Sequence, residues 1–342
     1  MRKINIILAV LTMASGCSKN DVYSNKESGL ERTVRFHLDD DFNSKVATRG
    51  TSLDNTDPIK ANGFYVSIKG DSEPDYSPSK HVTLQEGNFQ NGAITWKAGD
   101  NYTFNAYYPN TVADVFEVAT SGAPNITYNM PSDVIKHIDI VAATKQTLYD
   151  NSPVNLEFNH ITSGLKFKLV DASSGNVNLS IGEIAIHGLT SKATYDVQSK
   201  AWNSAQAATS LQEKSEIVRF IAGRELKYYE DYPDDKTTAF SIMNTDSEAM
   251  FFPRQNEADL SDLAIFVTVK ITVNTKTQQT VVKINGNALV ENGQTLIELI
   301  SSIESGQMLE LTMKYDQFIA GFVIKGKVIP WSKKTIWFPD YE

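Results

Sequence analysis

The chain has 342 residues, 41% of them apolar and 21% charged, and a formal net charge of −9. Its apolar content suits packed domains, about two at this length, and excludes general disorder. The acidic balance, with no dense Lys/Arg stripe, argues against nucleic acid as a partner.

The chain opens on MRKINIILAVLTMASGC. Arg2 and Lys3 form a charged start, Ile4 to Met13 a short apolar run, and Ala14, Ser15 and Gly16 a small-residue step. This is the layout of a signal peptide over residues 1–16, and the run is too short to span a bilayer as a helix. Cys17 follows at once and is the only cysteine, so no intrachain disulfide can form. The stretch ASGC resembles the lipobox of bacterial lipoproteins, whose cysteine is lipidated. Ala14 stands where that motif usually has leucine. Cys17 is the expected lipidation site and the lipid the expected membrane attachment.

A polar tether, SKNDVYSNKESG, comes next. In TVRFHL, Val34, Phe36 and Leu38 alternate with Arg35 and His37, the pattern of a half-buried strand. The acidic run Asp39–Asp41 ends it, and the polar loop NSKVATRGTSLDN (43–55) follows. That loop reads either as a linker or as a cut site at Arg49. Arg32 and Arg35 are poorer targets, because they flank or sit in the predicted strand, where paired backbone resists a protease.

From here strand signals dominate. GFYVSIKG is bounded by glycines. AITWKAGDNYTFNAYYPN reads as two strands around the tight turn KAGDN. VNLEFNHITSGLKFKLVD alternates in both halves, and VNLSIGEIAIHGL alternates through Ile181, Ile184 and Ile186. KATYDVQSKAW looks like a hairpin arm, and NGQTLIELISSI like a short helix or a loop. DLAIFVTVKITVN and QQTVVKING are β-branched runs; QMLELTMKYD and FVIKGKVIPW follow them. Many short strands with turn residues between them indicate β-sandwiches. The small polar stretch DASSGN (171–176) is the expected boundary, giving an N-terminal sandwich over 50–175 and a C-terminal one over 176–342.

Motifs of enzyme chemistry are missing. No GxSxG, Walker loop or Gly-rich dinucleotide motif occurs. His37, His81, His137, His160 and His187 are scattered without metal-ligand spacing. Asp39–Asp41 and EDYPDD (230–235) lack the EF-hand pattern and read as solvated loops. Trp96, Tyr102, Phe104, Tyr107 and Tyr108 suggest a sugar-stacking platform, but their alternation predicts that half are core. No enzyme activity, metal or cofactor is expected.

Several stretches in order resemble the fimbrillin family of Bacteroidales, pilus subunits assembled from lipoprotein precursors. They are ITWKAGDNYTFNAYYPN, DIVAATKQTLYDNSPVNLEFNHITSGLKFKL, IGEIAIHGL, and AMFFPRQ with Arg254 before Gln255. The resemblance runs across most of residues 30–331. It implies an all-β chain of two tandem β-sandwich domains of transthyretin-like, Greek-key type. It also implies an assembly route. A trypsin-like protease cuts behind the first strand, here between Arg49 and Gly50. The lipidated propeptide, 17–49, then leaves with its strand, and a C-terminal strand of another fimbrial subunit fills the groove. Val34, Phe36 and Leu38 would be the removable strand's core side. Phe322, Ile324, Val328 and Trp331 would be the donor's, with Gly326 and Pro330 interrupting its ladder. The implied location is the outer membrane and the fimbrium at the cell surface. Two alternatives stay open: an uncut anchor or monomeric surface lipoprotein, and a surface glycan-binding module.

Overall fold

The computed structural model describes residues 31–38, 57–109, 116–119, 123–132, 136–149, 152–171, 177–203, 218–219, 240–241, 249–290, 293–316 and 321–330. Cys17, Arg49, Gly50 and Trp331 lie outside these residues, as do Asp39–Asp41 and the acidic stretch 230–235.

The regular elements of the described chain are nearly all strands. β1 (Glu31–Leu38) precedes a short helix α1 (Asp57–Asn62). Then come β2 (Phe64–Gly70), β3 (Lys80–Gln85), β4 (Asn88–Lys97), β5 (Asn101–Tyr108), β6 (Phe116–Val118), β7 (Asn125–Asn129) and β8 (Val141–Leu148). β9 (Val154–Leu156), β10 (Asn159–His160), β11 (Ser163–Asp171), β12 (Val177–His187), β13 (Lys192–Asp196) and β14 (Ala201–Asn203) follow. The two-residue strands β15 (Val218–Arg219) and β16 (Phe240–Ser241) precede β17 (Ala249–Phe251), β18 (Ala264–Val273) and β19 (Lys276–Asn285). α2 (Leu296–Ser301), β20 (Gln307–Asp316) and β21 (Gly321–Pro330) come last, and a short 3-10 helix, Glu257–Leu260, lies between β17 and β18.

The N-terminal half is one sheet folded over on itself, in the order β10-β8-β5-β2-β3-β4-β1-β9. β3 makes the corner. Its residues Lys80–Val82 pair with β2, and Thr83–Gln85 pair with β4. A strand shared in this way turns one sheet into two facing layers. The turn from β3 to β4 needs positive φ at both Glu86 (48°) and Gly87 (81°), the geometry of a two-residue primed hairpin. The inner faces meet in a core rich in phenylalanine: Phe36, Phe64, Phe89, Phe104 and Phe158 are all buried. β4 and β5 flank KAGDN as the sequence predicts, but they do not pair with each other. Their turn crosses between layers, so Trp96 and Phe104 approach across the core with ring centroids 5.8 Å apart.

The C-terminal half is a second sandwich. One sheet runs β16-β11-β20-β21, with β17 also on β11; the other runs β15-β12-β18-β19. Leu165, Phe167, Leu309 and Leu311 from the first face Ile184, Ile186, Ile265 and Val267 from the second. Ile181 and Ile184 share the buried face although three residues apart, because the register of β12 on β18 slips between Ile181 and Glu183. A bulge of this kind keeps the inward face continuous. α2 closes one end. Thr295 and Glu298 cap each other's backbone in a full capping box, and Leu296, Leu299 and Ile300 turn into the core.

The pairing divides the chain differently from the expected 175/176 boundary. β11 precedes that point, yet it pairs in parallel with β20 over eight rungs, from Gly164↔Met308 to Asp171↔Tyr315. β11 and β12, the strands before and after that point, therefore lie in the two facing sheets of one sandwich. A third sheet, β14-β13-β7-β6, spans the boundary from both sides. It packs Tyr128 and Tyr195 against Tyr107, Ile161, Met250 and Phe252, and forms a seam between the sandwiches. Buried polar groups tie this seam. His160 Nδ1 lies 2.9 Å from Asp139 Oδ2. His137 holds the Pro131 carbonyl through Nε2 at 2.8 Å, and its Nδ1 accepts from the Met250 N–H at 2.9 Å.

Candidate functional site

β1 sits between two strands. On one side it is antiparallel to β4, first at Glu31↔Lys97 to Thr33↔Thr95 and then, after a register shift, at Arg35↔Gln90 and Phe36↔Phe89. On the other it is parallel to β9, from Phe36↔Val154 to Leu38↔Leu156. Alternation does the rest. Arg32, Thr33, Arg35 and His37 are exposed, whereas Val34, Phe36 and Leu38 enter the core. Val34 and Phe36 are fully buried and Leu38 is 3% exposed. The Phe36 ring stands edge-on to Phe64 at 5.7 Å and to Phe104 at 5.6 Å. Such aromatic contacts add about 0.5–1.5 kcal/mol each beyond area burial. Burial of the three side chains together is worth about 5–9 kcal/mol.

The slot that holds β1 is therefore both apolar and hydrogen-bonding. Without β1, β4 and β9 would each present unpaired backbone N–H and C=O groups, with Phe64, Phe89, Phe104 and Phe158 at the base. An edge of this kind is a template for another strand.

β21 is held differently. Among the described residues it has one continuous partner, β20, along its whole length, from Gln307↔Pro330 to Asp316↔Gly321. Its outer side carries one isolated parallel bridge, Val290↔Ile324. Of the candidate donor residues, Ile324 is buried, Phe322 packs half-buried on the core, and Val328 is 39% exposed. The expected breaks in the ladder are not there. Gly326 pairs with Leu311 and Pro330 with Gln307. Gly326 is needed for another reason: a Cβ at that position would lie 2.1 Å from Leu299 Cδ2 of α2. Pro330 takes the last rung, where its missing N–H interrupts nothing beyond it.

The remaining candidates resolve as structure. Trp96, Tyr102, Phe104 and Tyr107 are all buried, and only Tyr108 is half-exposed. More of them are core than alternation predicts, because Tyr107 lies on the other face of β5 and is covered by the seam. They present no sugar-stacking face. The Tyr102 hydroxyl oxygen instead accepts from the Lys97 backbone N–H at 2.8 Å. Burial raises the pKa of its phenol. Asp100 beside it is held below the usual carboxylate range, chiefly by the Ser72 hydroxyl at 2.6 Å. His37 and His81 are exposed, His187 is half-buried, and His137 and His160 belong to the seam. Among the described residues, no group of three or more His, Cys, Asp or Glu side chains is placed to hold a metal.

One feature escaped the sequence reading. Trp202, Phe252 and Pro253 floor a cavity of about 430 Å³ in the seam, rimmed by Arg254 and Glu304. Its parts come from β14, the loop after β17 and the turn before β20, which no linear pattern connects.

Comparison with known proteins agrees with this architecture. No curated protein matches the chain. Among solved structures it is similar to a fimbrial protein from Bacteroides vulgatus, at 15% identity and a TM-score of 0.60, over 88% of this chain and 99% of that one. It also matches a candidate cell adhesion protein from Bacteroides ovatus at 12% identity and a TM-score of 0.45, over 88% and 98% of the two chains. The first likeness shows a shared fold. Residues 45–331 match the fimbrillin-like family, whose members are structural proteins and not enzymes. The chain belongs to the fimbrillin-like family.

Proposed function

We propose that this chain is a fimbrial subunit of the cell surface that joins other subunits by exchanging a β-strand. It is exported as a lipoprotein anchored to the outer membrane through Cys17. A trypsin-like protease cuts between Arg49 and Gly50, and the propeptide 17–49 leaves together with β1. The vacated slot between β4 and β9 then takes a strand from the next subunit, for which β21 and its candidate residues Phe322, Ile324, Val328 and Trp331 are the source.

The observation that carries this reading is the placement of β1. It is the first strand of the described chain, yet it occupies an interior position and supplies Val34, Phe36 and Leu38 to the core. A cut behind it would open the sandwich, whereas a cut behind an edge strand would only trim it. Family membership and the fimbrial neighbour support the same conclusion.

Mild trypsin treatment of the purified precursor tests it. The expected products are a chain beginning at Gly50 and ladders on unboiled denaturing gels, both lost in Arg49→Ala. A Gly50 terminus without ladders would overturn strand exchange, and a chain that resists cutting at Arg49 would fit the uncut anchor or monomeric lipoprotein.

A further inference from the structure

The seam cavity lies beside the end of β21. Pro330 is level with Gln307, and Glu304 and Ser305 in the cavity wall come just before Gln307. The chain therefore leaves the sheet at the mouth of the cavity. The residues that follow, 331–342, lie outside the described set and read WSKKTIWFPDYE. They carry the apolar triplet Ile336, Trp337 and Phe338 between the pair Lys333, Lys334 and the acids Asp340 and Glu342.

The cavity matches that segment in two respects. Its floor is apolar: Trp202 and Phe252 meet edge-on at 4.7 Å, and Trp202 is pinned by its indole N–H donating to the Ile161 carbonyl at 2.6 Å. Its rim carries both signs, with Asp259 and Glu304 against Lys200 and Arg254. Arg254 and Glu304 form an exposed ion pair across the rim. Such pairs are weak in water and exchange partners readily.

We propose that residues 331–342 fold back onto their own chain, with Trp337 and Phe338 seated on the Trp202–Phe252 floor. The lysines ahead of the aromatic pair then meet Asp259 and Glu304, and the acids behind it meet Arg254 and Lys200. From Trp331 to Phe338 an extended chain reaches about 23 Å, ample for a cavity at its exit point. A tether this short gives an effective concentration of about millimolar, which favours the chain's own segment over a second copy. Docking here would keep the end of β21 occupied, but the placement stands whether or not subunits exchange strands.

Disulfide trapping in the full chain tests it. With Cys17→Ser to remove the native thiol, Ser305→Cys with Thr335→Cys should oxidise to a fast-migrating monomer. Thr277→Cys with Thr335→Cys, using the distant β18–β19 hairpin, should stay reduced. Disulfide-linked dimers, or free thiols in the first pair, would overturn the proposal. As a second measurement, Trp337→Ser with Phe338→Ser should speed amide hydrogen exchange at 200–203 and 252–256 at least threefold. Unchanged exchange there would overturn it as well. Neither readout requires cleavage at Arg49, so failure of this proposal is distinct from failure of strand exchange.

Discussion

β1 and β21 are strands of similar length near opposite ends of the described chain, and they are held by opposite means. β1 has a strand on each side and three core residues, two of them fully buried. β21 has one continuous neighbour, one outer bridge, and side chains that leave the core after Ile324. β1 cannot peel away without opening the phenylalanine core. β21 can separate from β20 by losing, among the described residues, one ladder together with the burial of Ile324 and part of Phe322. Under the proposed function β1 would be removed by cutting the chain and β21 lent intact, and the two modes of attachment match those two roles.

That contrast can be broken by mutation. Phe36→Ala should be the most damaging change, lowering stability by about 3–5 kcal/mol because the cavity it leaves is walled by rigid aromatic rings. A thermal or denaturant melt of the uncut chain measures it. A loss below about 1 kcal/mol would mean that β1 is not integral to the core. Ile324→Ala removes the buried anchor of β21 and should cost about 2–4 kcal/mol, read the same way. Gly326→Ala forces a methyl group against Leu299 and should cost about 1–3 kcal/mol by overpacking. If it were neutral, α2 would not be what holds the middle of β21. Val328→Ala should stay within about 0.5 kcal/mol of the parent, as exposed positions do.

The seam gives a control that touches neither strand. Burial, reinforced by the charge of Asp196, pushes the Tyr195 phenol up to about 12 from its ordinary 10.0. The folded chain thus prefers the neutral phenol more than the unfolded chain does. Its contribution is complete below pH 10 and is lost as the pH rises from there through about 12. Tyr195→Phe should therefore flatten the alkaline fall in stability. An unchanged alkaline profile would mean that this ring is not what makes the seam base-sensitive.

Local pattern was legible in the sequence where side chains alternate cleanly. TVRFHL gave β1 and its buried face, because a period of two fixes which side chains share a side. The same pattern says nothing of partners, so the parallel ladder to the three-residue β9 was invisible. The turn KAGDN was placed correctly, yet crossing between layers and folding into a hairpin use the same residues. The boundary at DASSGN looked right because small polar residues mark any connection, including one between two sheets of a single sandwich. α2 was ambiguous as an apolar run, although Thr295 and Glu298 already spell the capping box that starts it. The seam cavity was beyond reach. Arg254 adopts a φ of 50°, and Trp202 meets Phe252 across fifty residues of sequence, a placement that only tertiary pairing decides.

The parallel ladder between β1 and β9 also sets an order of events. β1 precedes β9 in the chain, so Val154–Leu156 must arrive before the second edge of β1 is closed. The other sandwich repeats the arrangement, with β11 waiting for β20. Contacts so distant in sequence must overcome loop closure before they yield any stabilisation, which slows folding to the range typical of all-β domains. Until Val154–Leu156 is in place, the edge of β1 that β9 covers offers unpaired N–H and C=O groups, the kind of edge that another strand can capture.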